Sequence, residues 1–195
     1  TNGPARRRRG AAAREEALEA ARDLLLSGGP AAVTLKAVGE RMGVGHANLI
    51  HHFGSAAGLQ GALMDRMVRD LADRIEAGLG AGRDDVEPDR LMTAVFDAFG
   101  HGGASQMAAW LALAREQARA ESFAQVVRDL ADRLAAMAPD DPRAAERAKA
   151  LVVTAAYMAF AEGLIGDILT PMLDAPDGLG RDLALKLTAT LLAEP

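Results

Sequence analysis

Apolar residues recur at intervals of three and four along almost the whole 195-residue chain. Leu59, Leu63, Met67 and Leu71, for example, follow one another every four residues. This spacing places apolar side chains on one face of an α-helix, whereas a half-buried strand alternates every second residue. Composition agrees, because Val and Ile total only 14 residues while Ala contributes 43. We therefore expect an all-α protein of about nine helices.

Helix breakers divide the first third of the chain into three segments. A first helix is predicted from Ala11 to the Ser-Gly-Gly-Pro run at 27–30. Thr34 then provides an N-cap for a short second helix, which the Gly-Val-Gly run at 43–45 ends. A third short helix is predicted over 46–52. The pattern predicts a three-helix N-terminal head.

Six further helices are predicted after Gly54. Ser55 caps the fourth and Pro88 begins the fifth, while the sixth covers about 104–119. The seventh ends before Pro139, and the eighth runs from Asp141 and Pro142 to about Gly166. The ninth covers 178–193. These helices are expected to form a C-terminal bundle.

The net charge of −5 conceals two segments of opposite sign. Residues 1–54 carry 8 basic and 5 acidic groups, a net of +3, whereas residues 55–195 carry 14 and 22, a net of −8. Four of the basic groups are consecutive arginines at 6–9. We therefore predict a basic flexible arm (1–10), a head (11–54) and an acidic body (55–195) with a separate task.

Several protein classes are excluded or disfavoured. The absence of cysteine excludes disulfides, zinc-thiolate sites and a cysteine nucleophile. No uninterrupted run of about 18 apolar residues is present, so no membrane partner is expected and the protein is predicted to be cytoplasmic. No nucleophile motif or phosphate-binding loop occurs, and we expect neither catalysis nor a cofactor.

Asp97 and His101 are the one pair with metal-ligand spacing, four residues apart on a predicted helix. Two ligands are a weak signal, and an ion pair near the end of a helix is the simpler interpretation. We therefore expect no metal site.

Two short helices joined by a glycine-containing turn are typical of a helix-turn-helix that binds DNA. The first helix of such a pair crosses the phosphate backbone, and the second offers side chains to base edges in the major groove. The predicted DNA-binding residues are Arg6, Arg7, Arg8, Arg9, Thr34, Lys36, Gly45, His46, Ala47, Asn48, His51 and His52.

Over residues 14–60 the chain resembles the TetR family of bacterial transcriptional regulators. The resemblance rests on Ala20-Ala21, Leu24-Leu25, Gly29, Thr34-Leu35, Val38, Gly43-Val44, Leu49 and His52-Phe53, in this order and spacing. It implies a homodimeric regulator, more often a repressor, that binds double-stranded operator DNA of palindromic sequence. It also implies that the body binds a small-molecule effector and forms the dimer.

Three positions depart from the family pattern. Gly45 stands where the family usually has Ser, and Ile50 where it usually has a phosphate-binding Tyr. The stretch 55–57 lacks the usual Lys at the start of the fourth helix. Either the arginine arm replaces these contacts, or the chain is a small-molecule-binding protein whose DNA binding is weak or lost.

Large aromatic and thioether side chains concentrate in the body, where they could line a pocket for an apolar ligand. The candidate ligand-binding residues are Met92, Phe96, Phe99, His101, Met107, Trp110, Phe123, Tyr157 and Met158. For any one of them, a place in a core otherwise built from Ala and Leu is the simpler interpretation.

Small residues form a stripe along the eighth helix and allow another helix to approach closely. With two leucines of the ninth helix they suit a four-helix interface between two subunits. The candidate interface residues are Val152, Ala155, Ala156, Ala159, Gly163, Leu187 and Leu191. Packing against helix five or seven of the same chain is the alternative.

Overall fold

A computed structural model describes residues 4–79, 88–113 and 120–193. Within these ranges the chain contains nine α-helices and no strand, so the all-α prediction is confirmed. The helices are α1 (Pro4–Gly28), α2 (Leu35–Met42), α3 (His46–Phe53), α4 (Ala56–Leu79), α5 (Pro88–Phe99), α6 (Ala104–Leu113), α7 (Ala120–Ala136), α8 (Ala144–Met172) and α9 (Leu179–Ala193). A short 3-10 turn at Pro30–Ala32 precedes α2.

The helices form two compact units. The first contains the described residues of Thr1–Arg66 and Met107–Glu116, and the second those of Met67–Gln106 and Gln117–Pro195. The sequence placed the boundary at Gly54, before α4. The beginning of α4 instead packs in the first unit, because Arg66 pairs with Glu15 and Glu19 of α1. Gln60 also donates a hydrogen bond to the Val33 carbonyl oxygen, at 3.1 Å.

Apolar side chains from all four helices fill the core of the first unit. Those buried almost completely are Leu18 and Leu25 of α1, Val33 before α2, Val38 of α2, Leu49 of α3, and Leu59 and Leu63 of α4. The helix-spaced apolar residues of the sequence point inward here, as their periodicity predicts. This core fixes α2 and α3 against α1.

The start of α1 differs from the prediction. Residues 4–10 are helical and continue directly into α1, whereas the sequence predicted an irregular arm. Pro4 occupies the first position, where its missing N–H costs no helical hydrogen bond. Ala and Arg, which make up most of the residues after it, are among the strongest helix formers.

Helix α8 is central to the second unit, where it packs against α5, α7 and α9. Gly163 allows the closest approach, because a Cβ there would lie 2.5 Å from the Ser105 hydroxyl oxygen and 2.6 Å from the Phe99 carbonyl oxygen. Any larger residue would push α8 away from the junction of α5 and α6. This glycine therefore serves packing within one subunit.

Both ends of α8 differ from the prediction. The helix begins at Ala144, two residues after Pro142, because the Asp141 carboxylate accepts a hydrogen bond from the Arg143 N–H at 2.8 Å and pairs with Arg147 at 2.9 Å. It continues past Gly166 to Met172 and includes Pro171 in its last turn. The sequence predicts a loop at Pro171. This residue cannot donate a hydrogen bond to the carbonyl oxygen four residues earlier, and the helix continues only one residue beyond it.

By length and composition alone, α8 is apolar enough to cross a membrane. Glu162 and Asp167 interrupt the apolar run in the sequence, but the mean hydropathy of the helix remains high. One such helix is weak evidence for a membrane protein, since a helix of a soluble protein can have the same composition.

Candidate nucleic-acid interface

Helix α2 has the caps that its sequence predicts. The Thr34 hydroxyl oxygen accepts a hydrogen bond from the Ala37 N–H at 3.1 Å, which satisfies one free donor of the first turn. Gly43 ends the helix in the left-handed conformation, with φ of 68°, which glycine adopts without strain. The chain therefore reverses over Gly43–Gly45 and enters α3 at once.

Helix α3 has a buried and an exposed face. Leu49 and Phe53, four residues apart, are buried in the core of the first unit. The side chains on the remaining surface are exposed at His46, Ala47, Asn48, Ile50 and His51, and half-buried at His52. All the predicted base-contacting residues of α3 thus lie on its accessible surface.

The beginning of α1 lies beside the C-terminal end of α3. The Arg14 guanidinium stacks over the Phe53 ring, with 5.2 Å between its central carbon and the ring centroid. A Cβ at Gly10 would lie 4.0 Å from the His52 ring. The backbone of Arg6–Arg9 is less than two turns further along the same helix, although their side chains lie outside the described residues. The backbone of these four arginines thus directly precedes the residue that approaches His52.

Several cations of the first unit are paired with carboxylates. Arg41 lies 2.9 Å from Asp23, and Lys36 lies 3.8 Å from Glu40. Both pairs are exposed and therefore weak, so they do not prevent either cation from contacting a phosphate. Helix α3 itself contains no Asp, Glu, Lys or Arg. Its polar groups are one amide and three imidazoles, which suits contact with bases more than attraction to phosphates.

A buried core that fixes two short, capped helices, with the second one exposed, is the geometry of a helix-turn-helix. Residues 17–63 match the family described as bacterial regulatory proteins, tetR family. This N-terminal segment is therefore a TetR-family helix-turn-helix. The match extends from within α1 to the beginning of α4, which places it inside the first unit. The first unit therefore contains the helix-turn-helix of the TetR family.

Solved structures share the fold over nearly the whole chain. A transcriptional regulator from Rhodococcus sp. Rha1 is 20% identical, with a TM-score of 0.66 over 91% of this chain and 96% of that one. A TetR-family regulator from Pectobacterium atrosepticum is 18% identical, with a TM-score of 0.65 over 97% and 98%. The multidrug binding protein EbrR, complexed with imidazole, is 17% identical, with a TM-score of 0.63 over 93% and 96%.

These similarities show the TetR-family fold beyond the matched N-terminal residues. No curated protein sequence matches the chain. The regulator's DNA-binding residues must therefore be assigned from its own geometry.

The candidate ligand-binding residues do not share one environment. Within the second unit Met92 is buried, and Phe96, Phe99 and Met158 are half-buried. Met107 and Trp110 belong to the first unit, where Met107 is fully buried and Trp110 is exposed. The side chain of Phe123 lies outside the described residues. Met92, Phe96, Phe99 and Met158 remain the candidates of the second unit whose side chains are at least half-buried.

Two of the candidate ligand-binding residues, His101 and Tyr157, have exposed side chains. Tyr157 is 73% exposed on α8, and the His101 side chain is 95% exposed. The Nδ1 atom of His101 lies 3.6 Å from an Asp97 carboxylate oxygen, within the distance of an ion pair when the imidazole is protonated. Among the described residues no group of three or more potential metal ligands occurs. Neither side chain is enclosed by its own subunit, because each points away from the bundle core.

The small-residue stripe of α8 also lies differently from the prediction. Ala159 is completely buried within its own chain, and Gly163 contacts Ser105 and Phe99. Ala159 therefore has no surface left for a second subunit, whereas Gly163 is half-buried. Val152, Ala155 and Ala156 are half-buried and Leu187 is exposed, while the side chain of Leu191 lies outside the described residues. The small residues mainly allow α8 to pack inside one subunit.

A stripe of large apolar residues on α8 was missed. Its members are Val153, Tyr157, Leu164, Ile165, Ile168, Leu169 and Met172, and all are exposed. Leu179, Leu183 and Leu187 of α9 are exposed too. We call these ten residues the apolar face. Their three- and four-residue spacing is visible in the sequence, and most of them lie on a different side of α8 from the small-residue stripe.

Proposed function

We propose that this chain is a homodimeric, ligand-responsive regulator, a repressor that a small apolar molecule releases from a palindromic operator. The proposal rests on the exposure of α3. Leu49 and Phe53 anchor this helix in the core, while Asn48 and His51 remain exposed. A short helix held in this way can enter the major groove and present side chains to base edges.

The N-terminal arginines supply the phosphate contacts in this proposal. Gly10 lies against His52, so the helical arm begins beside α3 rather than on the far side of the head. Four positive charges there compensate for Ile50, which has no hydrogen-bond donor for a phosphate. The Thr34 hydroxyl hydrogen and the exposed Lys36 add two donors at the start of α2.

The apolar face supports the homodimer. Soluble monomers rarely expose a continuous row of large apolar side chains, and two antiparallel helices from each of two subunits can bury one. A two-fold symmetric dimer also matches the symmetry of a palindromic operator. Covering the face with a second copy is consistent with a cytoplasmic protein and requires no membrane partner.

The effector site is proposed inside the bundle, around Met92, Phe96, Phe99 and Met158. These side chains are apolar and at least half-buried, as expected for a pocket that binds an apolar molecule. EbrR, which shares the fold, is described as a multidrug binding protein and was crystallised with imidazole. An effector that binds one conformation of the regulator more tightly shifts the population away from the DNA-binding state.

A gel-shift assay with the DNA that flanks the protein's own gene tests the proposal. The full chain should form a discrete complex with one fragment at about 50 mM salt, and the complex should weaken steeply as salt rises. Absence of any salt-sensitive complex would contradict the proposal.

The alternative is a small-molecule-binding protein whose head no longer recognises DNA. Ile50 and Ala56 favour it, because each replaces a residue that would contact phosphate. In that case, replacing Arg6–Arg9 with alanine would leave the affinity for every duplex unchanged. The proposed regulator should instead lose affinity for all duplexes.

A further inference from the structure

Ile50 is an exposed β-branched apolar side chain on a helix whose other exposed side chains are small or polar. It is 45% exposed, although Leu49 beside it is buried. A single exposed apolar side chain is ordinary on a protein surface and does not by itself indicate a partner. On a helix that enters the major groove, however, the exposed part of Ile50 is available for contact with the duplex.

Ala47, Ile50 and His51 occupy positions i, i+3 and i+4 of α3 and therefore share one face. Leu49 and Phe53 point into the core. Ala47 and His51 are turned away from the domain, whereas Ile50 lies at the edge of the exposed surface, three residues before Phe53. Two of the three exposed side chains are apolar. Neither Ala47 nor Ile50 can form a hydrogen bond to a base or a phosphate.

Only one base presents an apolar group in the major groove. The C5-methyl of thymine distinguishes A·T from the other pairs and is contacted by apolar side chains, whereas phosphates and the other base edges require polar partners. We infer that Ile50, together with Ala47, forms an apolar patch that recognises thymine C5-methyl groups; this inference rests on the proposed DNA binding. Ile50 is then a specificity determinant and no longer simply a lost phosphate contact.

Uracil substitution tests this inference directly, because it removes the methyl group and leaves every hydrogen-bonding group in place. The probe is a duplex selected by the full-length wild-type chain from a randomised library, remade with each thymine in turn replaced by uracil. Wild-type affinity should fall about four-fold for at least one thymine in each half-site, which corresponds to one buried methyl group (~0.8 kcal/mol). Replacing the symmetry-related thymine as well should give about a sixteen-fold loss.

Two variants complete the double-mutant cycle. Ile50→Ala should bind the thymine and uracil duplexes with equal affinity, and Ile50→Val should retain most of the difference. Leu26→Ala is the matched control, since Leu26 is an apolar residue of the same unit that is 52% exposed on α1. This control should show the full wild-type loss on uracil substitution.

The outcomes separate the two proposals. If wild-type protein selects no duplex from the library, both the DNA-binding proposal and the methyl inference are wrong. If it selects a duplex but no uracil substitution weakens binding, or Ile50→Ala remains as sensitive as wild type, only the methyl inference is overturned.

Discussion

At the scale of single residues, exposure separates the side chains available to DNA from those that hold the head together. Asn48 and Leu49 are neighbours in sequence, yet one is exposed and the other is buried. Helical periodicity predicted this division for α3 because the helix is short and each of its residues faces either the core or the surface. Periodicity could not predict Tyr157 or Ala159, because α8 has neighbours on several sides and most of its residues are apolar or small.

Asn48→Ala should reduce discrimination between the selected operator and a scrambled duplex by about 1–3 kcal/mol, the value of a good bidentate contact to a base. The measurement is the ratio of dissociation constants for the two duplexes at one salt concentration. An equal loss of affinity for both duplexes would show instead that Asn48 contacts a phosphate.

Gly163→Ala should destabilise the chain by about 1–3 kcal/mol, because the new Cβ would overlap Ser105 and the backbone of Phe99. Gly166→Ala is the control on the same helix, where the nearest atoms are the flexible end of Glu162 at 3.0 Å. Urea unfolding compares the two variants. Equal stability for both would contradict the close packing of α8.

At the scale of elements, local chemical signals predicted α2 and α3 well. Thr34 and Gly43 mark the two ends of α2 through a cap hydrogen bond and a positive φ, and neither signal depends on distant residues. The extent of α1 and α8 was predicted less well. Four adjacent arginines suggested an arm and Pro171 suggested a loop, but helix propensity and packing outweighed both signals.

Thr34→Ala should destabilise the chain by about 0.5–2 kcal/mol, because the Ala37 N–H loses its acceptor. Thr34→Ser should retain most of the stability, since serine can form the same cap. Thermal or urea unfolding provides the measurement. A loss as large for serine as for alanine would show that the methyl group, not the cap, stabilises α2.

Replacing Arg6–Arg9 with alanine should preserve the helix and lower the slope of log Kd against log salt by about 0.9 for each phosphate contact removed. Lys149→Ala, which removes an exposed cation from α8, should leave that slope unchanged. Circular dichroism confirms helicity and salt titrations of DNA binding give the slope. An unchanged slope in the arginine variant would show that the arm makes no phosphate contact.

At the scale of the whole molecule, a positive head and a negative body explain how an acidic chain can bind DNA. The net of −8 over residues 55–195 repels the duplex and favours approach through the head. The fold class followed from composition and periodicity. The division into units could not be predicted from the sequence. Helix α4 contributes residues to both units, and the apolar periodicity along a single helix shows no interruption at the boundary.

Leu187→Glu should weaken the proposed homodimer by about two orders of magnitude, because each subunit would lose a leucine from the interface and two charges would enter it. Leu113→Glu is the matched control, since Leu113 is exposed on α6, outside the apolar face. Sedimentation velocity over a range of concentrations measures both. Dissociation of the control and not of Leu187→Glu would place the interface elsewhere.

Sequence-specific DNA binding is tested by comparing the affinities of the protein for two duplexes. The full chain is titrated against its selected duplex and against a scrambled duplex of the same composition, at matched salt. We predict that the selected duplex binds at least about a thousand-fold more tightly, the lower end of the range for specific regulators. Equal affinity for the two duplexes would contradict sequence-specific binding, because a head that contacts only the phosphate backbone of DNA cannot direct a regulator to its operator.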